Sequence, residues 1–173
     1  MTYRTKTYIA GNWTGDQHLI STLYAWNRSD KWSLDFHDAH EITQARDTSL
    51  ACSIKRSLSE RLDVSKTFVL VVGNQTSRLT KGGCQFCRGY NGYTHHCAHG
   101  RNIDSRSFIQ YECEKAANDG LRIVVLYNAA RIIHSYCPDV LLGRGVHLPA
   151  YINKPDGYSY WNYQEIKEAI MGC

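Results

Sequence analysis

Two stretches of this 173-residue chain, Thr67-Phe68-Val69-Leu70-Val71-Val72 and Leu121 to Tyr127, are apolar almost throughout and lack the alternation of a half-wet strand. A strand without a polar face must be covered on both sides, and a parallel sheet flanked by helices meets that demand. The flanking pattern agrees. Thr7-Tyr8-Ile9-Ala10 reads as a first strand ended by Gly11-Asn12, and Asp16 opens a helix with Leu19, Leu23 and Trp26 at helical spacing. Leu34-Asp35-Phe36-His37-Asp38 reads as a short second strand, followed by a polar loop from Ala39 to Thr48. Ser49 is placed to cap the next helix, where Leu50, Ile54, Leu58 and Leu62 step by four along one face. Phe108 to Asn118 is helical and stopped by Asp119-Gly120; Val146-His147-Leu148 is the last strand, and Tyr163 to Met171 the closing helix.

This alternation predicts an α/β domain with a doubly wound parallel sheet. It spans residues 1–173 as one unit, with a Cys/His-rich insertion at about 77–105 before the fourth helix–strand unit. In such sheets ligands bind beyond the carboxyl ends of the strands. The loops to watch are therefore Gly11 to Asp16, Asp38 to Ser49, and Gly73 to Ser107.

Composition narrows the function. A net charge of +4 arises from 20 basic residues interleaved with 16 acidic ones, without the basic stripe that a nucleic-acid reader needs. The apolar runs are far shorter than the roughly 20 residues of a spanning helix, and Met1 to Lys6 lacks the apolar core of a signal peptide. No membrane partner and a cytoplasmic location are expected, with the seven cysteines as thiols or metal ligands rather than disulfides. The commoner occupants of the fold also fail. Val72-Gly73 and Gly11-Asn12 stand where a phospho-receiver carries its acids. Gly11-Asn12-Trp13-Thr14-Gly15 is not a dinucleotide fingerprint, Thr80-Lys81-Gly82-Gly83 is not a P-loop, and no hydrolase elbow is present.

Several segments in register carry a resemblance. They are Thr7-Tyr8-Ile9-Ala10, Asp35-Phe36-His37-Asp38-Ala39-His40, Arg46-Asp47-Thr48-Ser49, Ile54-Lys55, Val69 to Thr76, and Ser107-Phe108-Ile109-Gln110-Tyr111-Glu112. Over roughly residues 5 to 130 the chain resembles the TIR-like domain family, and within it the stand-alone bacterial Thoeris proteins of the ThsB type. The resemblance implies a flavodoxin-like sheet and cleavage of NAD, as substrate, at the nicotinamide–ribose bond. It further implies an ADP-ribose-derived product, cyclic or conjugated, that activates a partner effector, with a phage-derived trigger and assembly of like subunits as further expectations. The family's glutamate falls on Glu112.

The chemistry suits that residue type. Loss of neutral nicotinamide leaves an oxocarbenium-like ribose, which a carboxylate can stabilise without a metal or a strong base. Glu112 follows Phe108 by one turn, so a carboxylate and an aromatic wall share a face, while Glu114 points about 200° away from Glu112. The alternative is a solvent-facing helix glutamate. Around it, Asn12 and Trp13 are expected at one end of the ligand, with Trp13 packed in the core as the alternative. Asp38 would touch ribose or cap a turn, Arg46 would fork onto pyrophosphate or lie on the surface, and Ser49 would contact the ligand or cap its helix. The first loop departs from the family's usual motif. That departure supports a second function, a non-catalytic TIR-like interaction or sensor module.

In the insertion, Cys84-Gln85-Phe86-Cys87 precedes His95-His96-Cys97-Ala98-His99. Cys84, Cys87, Cys97 and His99 could hold a structural zinc ion, with free thiols and solvent histidines as the alternative. A redox pair of Cys84 and Cys87 and a metal-dependent hydrolase built on this loop are further readings. Cys52 and Cys113 read as packing residues within helices.

Overall fold

A computed structural model describes residues 3–39 and 50–172. Its elements in chain order are β1 (Lys6–Gly11), α1 (Gln17–Asn27), α2 (Ala51–Asp63), β2 (Ser65–Val72), β3 (Tyr90–Asn91), β4 (His96–Cys97), α3 (Phe108–Asn118), β5 (Arg122–Tyr127), β6 (Val146–Pro149), β7 (Tyr151–Asn153), β8 (Ser159–Trp161) and α4 (Tyr163–Met171). A parallel four-stranded sheet runs β1-β2-β5-β6, in the register Ile9↔Val69 and Val69↔Val124. The two apolar runs are its central strands. Their side chains feed alternately into two cores, as period-two geometry requires. Ile9, Val69, Val71, Val124 and Leu126 pack under α1 and α4 with Leu19, Leu23, Ile166 and Ile170. Tyr8, Phe68, Leu70, Val125 and Tyr127 face α2 and α3 with Leu58, Leu62, Ile109 and Cys113. The fold is the α/β, flavodoxin-like arrangement expected from the sequence.

The predicted second strand is the main departure. Leu34 to Asp38 makes only an isolated parallel bridge, Asp38 to Thr7, with the Thr7 N–H donating to the His37 carbonyl at 2.8 Å. Asp35 takes a φ of +47°, which breaks an extended run before it can pair further. Leu34 and Phe36 are nonetheless buried, and Asn27 from α1 grips both backbone groups of Phe36, so the segment keeps its core-facing pattern without a ladder. The bridge still occupies the place of an edge strand beside β1.

Ser49 and Arg46 lie outside the described residues. The N-cap position of α2 is held by Leu50, without a side-chain cap hydrogen bond. By contrast α3 carries a full capping box: Ser107 Oγ accepts from the Gln110 N–H, and Gln110 Oε1 accepts from the Ser107 N–H. The helix that bears Glu112 is thus fixed at its first turn.

At the carboxyl edge, Asp16 is buried and accepts from Asn128 Nδ2 at 2.9 Å. A Cβ on Gly73 would stand 2.2 Å from Asp16 Oδ1, so the end of β2 must be glycine for the first loop to dock. Gly73→Ala is expected to destabilise the protein by about 2 kcal/mol through this overlap, read as a lower urea midpoint at unchanged slope.

Candidate functional site

Between β1, α2 and α3 a cavity of about 340 Å³ opens toward the loop after β1. Its walls include Tyr8, Asn12, Trp13, Arg61, Phe108 and Glu112, so four of the residues singled out in the sequence, Asn12, Trp13, Phe108 and Glu112, share one space. Phe108 holds its wall because Gly82, at a φ of +106°, lacks the Cβ that would come within 2.5 Å of its ring. Trp13 is about half exposed and stacks on Tyr24 at 6.1 Å between ring centroids, so it is a rim residue and not a core one. Asn12 steadies its own loop, its Oδ1 accepting from the Thr14 N–H and its carbonyl from the Asp16 N–H. Asp38 does not line the cavity; it belongs to the bridge with Thr7.

Glu112 is 6% exposed, unlike Glu114, which lies on the other side of α3 and pairs with Arg106 at 2.6 Å. The separation of the two carboxylates follows from helical geometry alone. A buried carboxylate needs partners, and two residues to which the sequence reading gave no role at the site supply them. The hydroxyl of Tyr8, fully buried in β1, donates to Glu112 Oε1. Arg61, buried at the end of α2, lends its positive charge to both Glu112 and Tyr8. Burial pushes the Glu112 carboxyl up to about 7, against the lowering pull of the Tyr8 hydrogen bond and of Arg61. Burial first, and the Glu112 charge second, drive the Tyr8 phenol far above its ordinary value, so it stays a donor. Arg61 was legible in one respect: it stands seven residues after Ile54 and three after Leu58, a charge set into an apolar stripe. Tyr8 carried no such mark.

The site thus offers a carboxyl poised near neutrality, a fixed hydroxyl donor, a guanidinium and two aromatic rings. That set can bind a flat cationic ring and stabilise positive charge developing beside it.

The predicted zinc ligands lie elsewhere, in the segment between β2 and α3. Among the described residues no three His, Cys, Asp or Glu side chains are gathered as a ready metal site. Cys84, Cys87 and Cys97 do face one small cavity, but His99 is exposed and does not line it. Cys52 does line it, and its Sγ accepts from Arg101 at 3.0 Å; it is no mere packing residue, whereas Cys113 is fully buried as expected. Among the described residues no helix is long and apolar enough to cross a membrane.

Residues 8–81 match the family described as Thoeris protein ThsB, TIR-like domain. The matched span takes in Tyr8, the first loop and α2 with Arg61, and stops before α3. No curated protein matches the chain.

The position of Glu112 has a consequence for stability. Its carboxyl binds a proton more tightly in the folded chain than at the ordinary value of 4.5, so the folded state gains relative protonation as pH rises from about 4.5 to about 7. Stability falls across that window by up to roughly 3 kcal/mol and stays reduced above it. Glu112→Gln, which keeps the acceptor for Tyr8, is expected to remove this slope. The variant should unfold at higher urea than the parent at pH 8 and at a similar concentration at pH 4.5.

Proposed function

We propose that this chain, whose residues 8–81 match the Thoeris ThsB TIR-like domain, acts in anti-phage defence signalling, cleaving NAD at the nicotinamide–ribose bond and so making an ADP-ribose-derived signal for a partner effector. The observation that carries this reading is the burial of Glu112 in the wall of the cavity, beside Phe108 and below the Asn12–Trp13 loop.

A cavity of about 340 Å³ is at the small end of ligand pockets and suits the nicotinamide riboside half of the molecule. The cationic ring enters beside Glu112 and draws its carboxyl into the ionised form, since an opposite charge lowers the pKa that burial has raised. As the glycosidic C–N bond breaks, its electron pair goes to nicotinamide, which leaves neutral. The ribosyl cation that remains faces Glu112, and water or a nucleophilic group of the same or another molecule captures it. Capture by an internal group gives a cyclic product, and capture by a second molecule a conjugate. Tyr8 and Arg61 keep the carboxylate aimed and partly neutralised until the positive charge develops. Trp13, on the rim, would stack the part of the substrate that projects from the cavity.

One observation favours a second reading, a TIR-like interaction or sensor module without catalysis. Glu112 already takes a proton donor from Tyr8 and charge from Arg61, which is the arrangement of a carboxylate that has a structural partner.

Nicotinamide release from NAD by the purified protein, assayed with and without extract of phage-infected cells, separates the two. Glu112→Gln is expected to lower kcat/KM by at least about a hundredfold, and the parent's kcat/KM should rise with pH through about 7 as the free carboxyl ionises. A Gln variant that stays folded and releases nicotinamide at the parental rate overturns the enzymatic reading. A parent silent even with infected-cell extract supports the module.

A further inference from the structure

The segment between β2 and α3 poses a physical problem. From Gln85 to Ile103 the only buried residue is Gly89; Phe86 is 66% and Tyr93 fully exposed. Its regular structure amounts to two strands of two residues each, β3 and β4, and single turns of 3-10 helix at Thr76–Arg78 and Cys84–Phe86. So little apolar burial cannot offset the conformational entropy of ordering such a length of chain. At its neck the segment is well tied, since the Cys84 N–H donates to the Asp104 carbonyl, the Asp104 N–H donates to Cys84 Sγ, and Lys55 of α2 donates to the carbonyls of Asp104 and Arg106. Beyond the neck a further tie to α2 comes from Arg101, whose guanidinium donates to Cys52 Sγ and to Ser53 Oγ, each at 3.0 Å.

The tip also has sulfur. Cys84 opens a single turn of 3-10 helix, the Cys87 N–H donates back to the Cys84 carbonyl at 2.9 Å, and the Tyr90 N–H to that of Cys87 at 2.9 Å. The two thiols of the C-x-x-C thus sit on one tight knuckle. The β3–β4 hairpin then returns the chain so that Cys97 pairs opposite Tyr90. From outside the segment, Cys52 projects from the first turn of α2. These four thiols line one cavity of about 10 Å³, the space of a single water or ion, closed by Leu50, Tyr90 and Ile103. The polar contacts of the sulfurs are donors. The Asp104 N–H reaches Cys84 Sγ at 3.2 Å, and the Arg101 guanidinium reaches Cys52 Sγ at 3.0 Å. Donors of that kind support thiolates bound to a metal, and the arginine offsets their charge.

The geometry points to a structural site for a thiophilic divalent metal of the zinc class, with Cys52, Cys84, Cys87 and Cys97 as its four ligands. The four cysteines line one cavity without being gathered as a ready metal site; ligation would draw their thiols inward and give the closed tetrahedral sulfur set that zinc takes in structural sites. His99, the fourth ligand expected from spacing, lies outside this set. Its ring rests over Gly89, where a Cβ would meet Nε2 at 3.1 Å. The spacing rule could not reach Cys52, 32 positions before Cys84. The metal would bind the insertion to α2, the helix that carries Arg61 into the candidate site. The proposal stands whether or not that site cleaves NAD.

Cobalt(II) added to the reduced, metal-free full chain reports both ligand number and ligand type. The expected spectrum is that of a tetrahedral four-thiolate centre, at one ion per chain. Cys52→Ser should reduce the sulfur-to-cobalt charge-transfer band by about a quarter, while His99→Ala leaves it unchanged. A parent chain that binds no cobalt, or a band lost in His99→Ala and kept in Cys52→Ser, overturns the assignment. If the serine variant does not fold, alkylation of the unaltered protein followed by mass spectrometry decides. Zinc should protect Cys52 together with Cys84, Cys87 and Cys97, and a chelator should expose all four at once. Equal labelling of Cys52 with and without zinc rejects its part.

Discussion

The contact between Glu112 and Tyr8, under the charge of Arg61, joins three elements that the topology alone would leave merely adjacent. Tyr8 belongs to β1, Arg61 to α2 and Glu112 to α3. A carboxyl buried there is costly unless it is paired, so its presence demands a particular registration of both helices on the sheet. The capping box at Ser107 and Gln110 sets the start of α3, and with it the depth at which Glu112 meets the strand. The apolar stripe of α2 sets the roll that turns Arg61 inward. An apolar residue at 112 alone would take a partner from the buried Tyr8 hydroxyl and from the Arg61 charge, so only apolar replacement of the whole set would give a more stable layer. Retaining an acid with a carboxyl pushed up to about 7 is the trade that functional sites make against stability.

Much of the architecture was readable because burial on both faces leaves a plain trace. Runs such as Thr67 to Val72 admit few alternatives, and the helix Phe108–Asn118 has the bounds its pattern predicts, stopped at Asp119-Gly120. The second strand misled for an equally physical reason. Leu34 and Phe36 alternate with polar residues as a strand would, and they are buried, but hydrogen bonds from Asn27 and a left-handed Asp35 satisfy the backbone in place of a ladder. Alternation reports which side chains face the core; it does not report where the N–H groups go.

The candidate site was legible in its parts and not in its joints. Helical spacing alone put Glu112 and Phe108 on one face and Glu114 on another, and the structure has them so. Tyr8 was hidden because a tyrosine inside an apolar strand looks like any core aromatic until its hydroxyl needs a partner. Arg61 was a charge in an apolar stripe, a conflict between local pattern and residue type of the kind that marks functional positions. Cys52 was hidden differently. Its sequence neighbours explain it as helix packing, and only the return of a distant hairpin brings it beside other thiols.

The same end of α2 shows how the insertion and the site depend on one another. Lys55, buried one turn beyond Cys52, holds the carbonyls just before α3, while Lys81 and Gly82 at the start of the insertion complete the wall around Phe108. The two ends are held together at the neck, the Phe108 N–H donating to the Lys81 carbonyl and the Cys84 N–H to that of Asp104, each at 2.9 Å. Order at the neck is therefore transmitted to the cavity through contacts that are backbone at one end and ring packing at the other. A site whose carboxylate is fixed by the core, but whose aromatic wall is fixed by a sulfur-rich appendage, has one half set by folding and the other open to adjustment.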